Sequence, residues 1–101
     1  MDGFSHFLAG ALLCNFLPHL AAGLQGQRFP TPWARLSGSP VSSPIENVLW
    51  GSFNLAAGIA LLHSSPIALE LAPPLFAFSG GFLALGLFLA WHFPRVLGKD
   101  P

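Results

Sequence analysis

Asn15 and His19 stand four residues apart inside an apolar run from Phe4 to Leu24, with Pro18 between them. On a helix that spacing stacks an amide and an imidazole on one face, and Ala11 and Ala22 continue the same stripe. An ionisable side chain in so apolar a run is rare and usually faces a site, so His19 has two readings, a functional imidazole or a structural one. Pro18 withholds the amide that would bond the carbonyl of Cys14, and that carbonyl then needs another donor, such as a neighbouring side chain. Cys14 itself reads as a small apolar filler. A second stripe, Asn47, Gly51, Asn54 and Gly58, follows the same three-and-four spacing and is expected to face the first. Small residues let the two backbones approach and amides hydrogen-bond across the seam, so the asparagines read first as packing contacts.

Chain direction places Glu46 and His92 at the same end as His19, so Asn15, His19, Glu46, Asn47 and His92 are expected to converge there. Glu46 is spaced to cap a helix, and His92 and His63 fall at helix ends, where an interfacial position explains them. His6 and His63 meet at the opposite end and are the pair that a metal or a haem could use. They have no third ligand at a recognisable spacing, so no cofactor and no metal centre is expected. No nucleophile with a base at fixed spacing, no glycine-rich phosphate cradle and no carboxylate pair is present, which predicts a non-catalytic protein.

The elements that must position these residues follow from composition. Of 101 residues, 8% are charged and 52% hydrophobic, with ten Phe and three Trp. A soluble domain carries about a quarter of its residues as Asp, Glu, Lys or Arg. This chain cannot cover a water-soluble globule, and lipid asks for no such cover. The net charge of zero and four scattered basic residues exclude nucleic acid as a partner. One cysteine excludes an internal disulfide. The first apolar run lacks a preceding Lys or Arg and is interrupted by Asn15, Pro18 and His19, so it reads as a retained span and not as a cleaved leader.

A span needs about 20 mainly apolar residues. Three windows qualify, about 4–24, 45–62 and 75–93, which predicts an all-α membrane protein with one three-helix domain over 1–101. Ser43-Pro44-Ile45-Glu46 has capping-box spacing with proline at the first helical position, and Pro73-Pro74 opens the third helix. Pro94 is expected to stop it. Gly23 and Gly26 allow the first helix to end. The third helix offers Ser79, Leu83, Gly86 and Ala90 as its packing row. Arg28, Arg35, Arg95 and Lys99 fall on one face of a three-span chain, so that face should be cytoplasmic, with the N-terminus outside and the C-terminus inside. Trp33, Trp50 and Trp91 fall near the same boundary, where indoles sit at headgroup level.

The loop over 25–43, QGQRFPTPWARLSGSPVSS, is proline-rich and interfacial. Pro30 and Pro32 keep Arg28 to Trp33 out of a helix. Arg28, Phe29, Pro30, Trp33 and Arg35 form its candidate docking surface, the aromatics dipping into the interface and the arginines meeting acids or anionic headgroups. The second loop, His63 to Pro74, is compact, with a short turn through Ile67–Leu71.

HFLAGALLCNFLPHLAAGLQGQRFPTPWAR followed by SSPIENVLWGSFNLAAG resembles a family of small multi-pass bacterial inner-membrane proteins of unassigned function. The family pattern has Asn or Gly ahead of Pro-His and a Gly-Arg-Phe-Pro-Thr-Pro-like turn, with Gln27 here in place of that glycine. The resemblance implies a bacterial cytoplasmic membrane and no activity. The expected role is an accessory or assembly subunit of a larger membrane complex. The alternative is a homo-oligomeric transporter or channel lined by His19 and Asn15.

Overall fold

The computed structural model describes residues 3–99, which form three helices: α1 (Gly3–Leu24), α2 (Pro44–Ser64) and α3 (Pro73–Leu97), with a 3-10 turn at Ala34–Ser37 between the first two. Each helix is long and apolar enough to cross a membrane. Even the shortest, with 21 residues, reaches about 30 Å at a rise of about 1.5 Å per residue, the thickness of the hydrocarbon layer. Burial inverts the pattern of a soluble protein. The largest fully buried side chains are His19, Asn47 and Asn54, while Phe4, Leu49, Phe53, Leu83 and Leu87 are more than half exposed. That arrangement is stable where apolar surface meets lipid and polar groups must find partners inside. The chain is a membrane-embedded helical protein.

The helix ends have local causes. α1 runs through Pro18 and stops in a Schellman motif: Gly26, at φ +72°, lets its own amide reach the Gly23 carbonyl (3.0 Å) and that of Gln27 reach Ala22 (2.9 Å). α2 opens with the expected capping box, Ser43 Oγ accepting from the Glu46 amide (3.1 Å) and Glu46 Oε1 accepting from the Ser43 amide (2.9 Å). α3 differs from expectation, because Pro94 does not end it and the helix continues to Leu97. Two contacts support the extra turn. The Arg95 guanidinium lies 4.5 Å from the centre of the Trp91 ring one turn back, and Gly98 in the left-handed region caps the end while Lys99 donates to the Pro94 carbonyl (2.7 Å). Among the described residues the second loop has bends through 69–72 and no helix before α3.

α1 is the central element. It runs antiparallel to α2, with Gly23 beside Val48, Gly51 beside Leu20 and Gly58 beside Leu13. It runs parallel to α3, with Gly81 beside Phe7, Gly10 beside Phe78 and Gly86 beside Cys14. A Cβ on Gly10 or Gly81 would fall on a carbonyl oxygen of the facing helix, so only glycine permits that crossing. No Cα of α2 comes within 8 Å of one in α3 among the described residues, so the two flank α1 with their backbones apart. The expected α3 packing row needs correction: Ser79, Leu83 and Ala90 are exposed, whereas Gly81 is buried and Gly86 half-buried. The actual contact face is set by two close approaches, Gly10 against the Phe78 backbone and Gly81 against the Phe7 backbone, and Ser79 lies outside it.

Candidate functional site

The first loop builds one end of the site. Phe29 and Ser42 form an antiparallel bridge, with the Phe29 amide donating to Ser42 O (3.2 Å) and the Ser42 amide to Phe29 O (2.8 Å), and the Thr31 and Ser42 hydroxyls bond each other. This pins an extended segment that its prolines keep out of a helix. Asn47, fully buried on α2, donates its amide nitrogen to the carbonyls of Phe29 and Ser43 (both 3.0 Å), with Ser42 O at 3.4 Å. Three carbonyls around one side-chain nitrogen fix the amide orientation, so Oδ1 points to His19, whose Nδ1 lies 2.8 Å away. An amide oxygen only accepts, so His19 Nδ1 carries the proton. Its ring is enclosed by Phe29, Trp50 and Phe93, at centroid distances of 5.6, 6.4 and 5.7 Å.

One turn farther into the bilayer, Asn15 Nδ2 donates to Asn54 Oδ1 (3.0 Å), and Asn54 Nδ2 donates back to the Trp50 carbonyl (2.8 Å). The two asparagine stripes therefore meet as a ladder of bonds between α1 and α2. Glu46 stays outside it: one carboxylate oxygen closes the capping box and the other accepts from Trp33 Nε1 (3.0 Å). Among the described residues His92 makes no hydrogen bond to the ladder; it stacks on Phe88 at 5.2 Å and borders the same space as His19.

That space is a cleft of about 460 Å³ between α2 and α3, floored by α1 and closed at one end by Pro30, Thr31 and Pro32. Its wall is mostly apolar, through Leu12, Leu85, Phe88 and Leu89, and His19, Asn15, Trp50, Asn54 and His92 give it polar points. It forms because α1 holds the outer helices apart.

The candidate docking loop is only partly outward. Arg28 and Arg35 are exposed, but Pro30 is buried, and Phe29 and Trp33 are half-buried and committed to the protein, Phe29 against Phe93 (4.5 Å) and Trp33 against Glu46 and Trp50. They act as a lid on the helices and not as a free surface, because the Asn47 bonds pull the loop down onto α2. Leu36, 89% exposed, stands outward with the arginines. At the other end His6 Nε2 donates to the Ser65 carbonyl (3.1 Å), while His63 is exposed. No group of three His, Cys, Asp or Glu side chains suited to a metal occurs among the described residues.

Trp50 is half-buried, and its Nε1 is buried without a partner among the described residues. Its register, three residues after Asn47 and four before Asn54, puts it on the inward face. No family model, curated protein or solved structure matches the chain.

Proposed function

We propose that this protein is a non-catalytic subunit of a larger membrane assembly, placed in a bacterial cytoplasmic membrane with its N-terminus outside and its C-terminus inside. One observation carries the reading. The first loop is pinned from within by Asn47, so it holds Arg28, Arg35 and Leu36 outward as a preformed patch. The contact between Phe29 and Phe93 puts this patch at the same end as Arg95 and Lys99. Two arginines around an exposed leucine suit the acidic rim of a partner protein, since Arg pairs carboxylates in fixed geometry. The bacterial location rests on the resemblance of the RFPTPWAR region, and the orientation on the placement of all four basic residues at one end.

The transport alternative has one observation in its favour, that His19 and Asn15 both border the cleft. Against it, both side chains are held by bonds to α2, and the wall is mainly apolar, which suits lipid-soluble matter better than ions. Extraction in a mild detergent followed by native mass analysis tests the proposal. The expected result is a stoichiometric larger membrane protein bound to the wild type and released by the Arg28→Ala, Arg35→Ala double variant. Recovery of a symmetric homo-oligomer with proton-dependent flux that His19→Ala abolishes would overturn it.

A further inference from the structure

The loop that joins α2 to α3 lies at the end away from Arg95 and Lys99, and it carries Leu69 and Leu71, 94% and 85% exposed. Lipid accounts for exposed leucines along a span, whereas in a connecting loop they ask for a cover of their own. Both roots of the loop are fixed. The Ser65 amide donates to the Leu61 carbonyl (2.8 Å) and the Ser65 carbonyl accepts from His6 of α1 (3.1 Å). At the far root the Leu75 and Phe76 amides donate to the Ala72 carbonyl (3.0 and 3.2 Å). Between the roots the Glu70 amide donates to the Ala68 carbonyl (2.9 Å), which makes a three-residue turn with Leu69 at its apex. The backbone itself therefore presents Leu69 outward.

Depth decides what covers it. Arg95 and the exposed Trp91 beside it suit headgroup level at one interface, and about 30 Å back along α3, the thickness of the hydrocarbon, stands Leu75. α2 gives the same boundary, since its 21 residues also cover about 30 Å and end at Ser64. The loop thus leaves and re-enters where acyl chains meet headgroups. Its surroundings are apolar: Leu69 borders a hollow of about 340 Å³ with Leu62, Pro66, Ile67, Leu75 and Phe78. Phe76, more than half exposed, starts a stripe that Leu83 and Leu87 continue along the lipid-facing side of α3. Residues 63–74 hold no Lys or Arg, and Glu70 is their one acid, so anionic headgroups do not draw the loop and apolar burial is the attraction left to it. We propose that the turn is a lipid-inserted wedge, with Leu69 and Leu71 in the upper acyl region of the leaflet at this end and Glu70 at headgroup level. The wedge does not rest on the subunit reading, whose patch of Arg28, Arg35 and Leu36 lies at the opposite end.

The test uses the purified full chain in phosphatidylcholine nanodiscs, with leucine methyl groups and backbone amides followed by NMR. A nitroxide placed high on a lipid acyl chain should broaden the Leu69 and Leu71 methyls. A gadolinium chelate in the water should spare those methyls, as it spares Leu83 in mid-span, and should broaden the Glu70 amide. Methyls of Leu69 and Leu71 reached by the chelate would put the turn in water, and methyls shielded from both probes would put it against protein. Either result would overturn the proposal. A second measurement removes the apolar attraction. Leu69→Asn combined with Leu71→Asn changes two side chains that are exposed on the protein, and it should speed hydrogen exchange at the Glu70 amide by about tenfold in the same nanodiscs. Exchange unchanged by the double variant would equally overturn the wedge.

Discussion

Replacing Asn47 with alanine tests the polar ladder at its most connected residue. The substitution removes the acceptor of His19 Nδ1 and the donor to the Phe29 and Ser43 carbonyls. The carbonyls keep other partners, since Phe29 O still accepts from the Ser42 amide and Ser43 O from the backbone amide of residue 47. One group is therefore orphaned, the His19 N–H, in a residue 2% exposed. A buried unsatisfied donor costs about 1–3 kcal/mol, and two further bonds at about 0.6 kcal/mol each, the mean for membrane proteins, bring the loss to about 2–4 kcal/mol. Reversible unfolding by dodecyl sulfate in mixed micelles, followed by circular dichroism and tryptophan fluorescence, measures it. His19→Phe in the Asn47→Ala background removes both polar partners together and should recover part of the loss, with a coupling of about 1–2 kcal/mol. Independent effects, additive within about 0.3 kcal/mol, would refute the claim that His19 and Asn47 satisfy each other.

Three further outcomes follow from individual contacts. Gly81→Ala places a methyl on the Phe7 carbonyl and should cost about 3 kcal/mol or more, whereas Gly80→Ala, with nothing within 4 Å, should stay within about 0.5 kcal/mol in the same titration. Ser43→Ala breaks the capping box and should cost about 1 kcal/mol, with faster hydrogen exchange at the Glu46 amide. Arg95→Ala removes the contact on Trp91 and should fray α3 back toward Pro94, seen as a loss of amide protection at Leu97 and Gly98 with little change in global stability.

The spans were legible because helix formation in lipid leaves few choices. Apolar length sets the segment, and Ser43, Pro44, Glu46 and Gly26 mark ends through local chemistry that needs no tertiary knowledge. The asparagine and glycine stripe of α2 was legible for the same reason, as a periodic exception to an apolar background. The α3 face was not. Leucine and phenylalanine occur all round that helix, so its rotation about its own axis depends on which glycines can seat against facing backbone, Gly10 on Phe78 and Gly81 on Phe7, and the sequence offers Gly80, Gly81 and Gly86 without ranking them. Pro94 misled because proline shows the bond it removes and hides the contact between Trp91 and Arg95 that compensates. The lid role of Phe29 and Trp33 was hidden because it depends on Asn47 reaching back to the loop, a pairing eighteen residues apart.

The two seams of α1 differ in kind, and that difference bears on the cleft. Against α2 the seam carries directed bonds, Asn15 to Asn54 and His19 to Asn47, whose geometry fixes both register and rotation. Against α3 the glycines meet backbone directly, and such close van der Waals packing depends on distance far more than on direction. The wall of the cleft that carries Trp50 and Asn54 is thus tied to His19 and Asn15 in the floor, while the wall that carries Leu85, Leu89 and His92 rests on a pivot near Gly81. A ligand that needs defined polar geometry gains most from contacts on the bonded side, and a variable apolar chain gains most on the other.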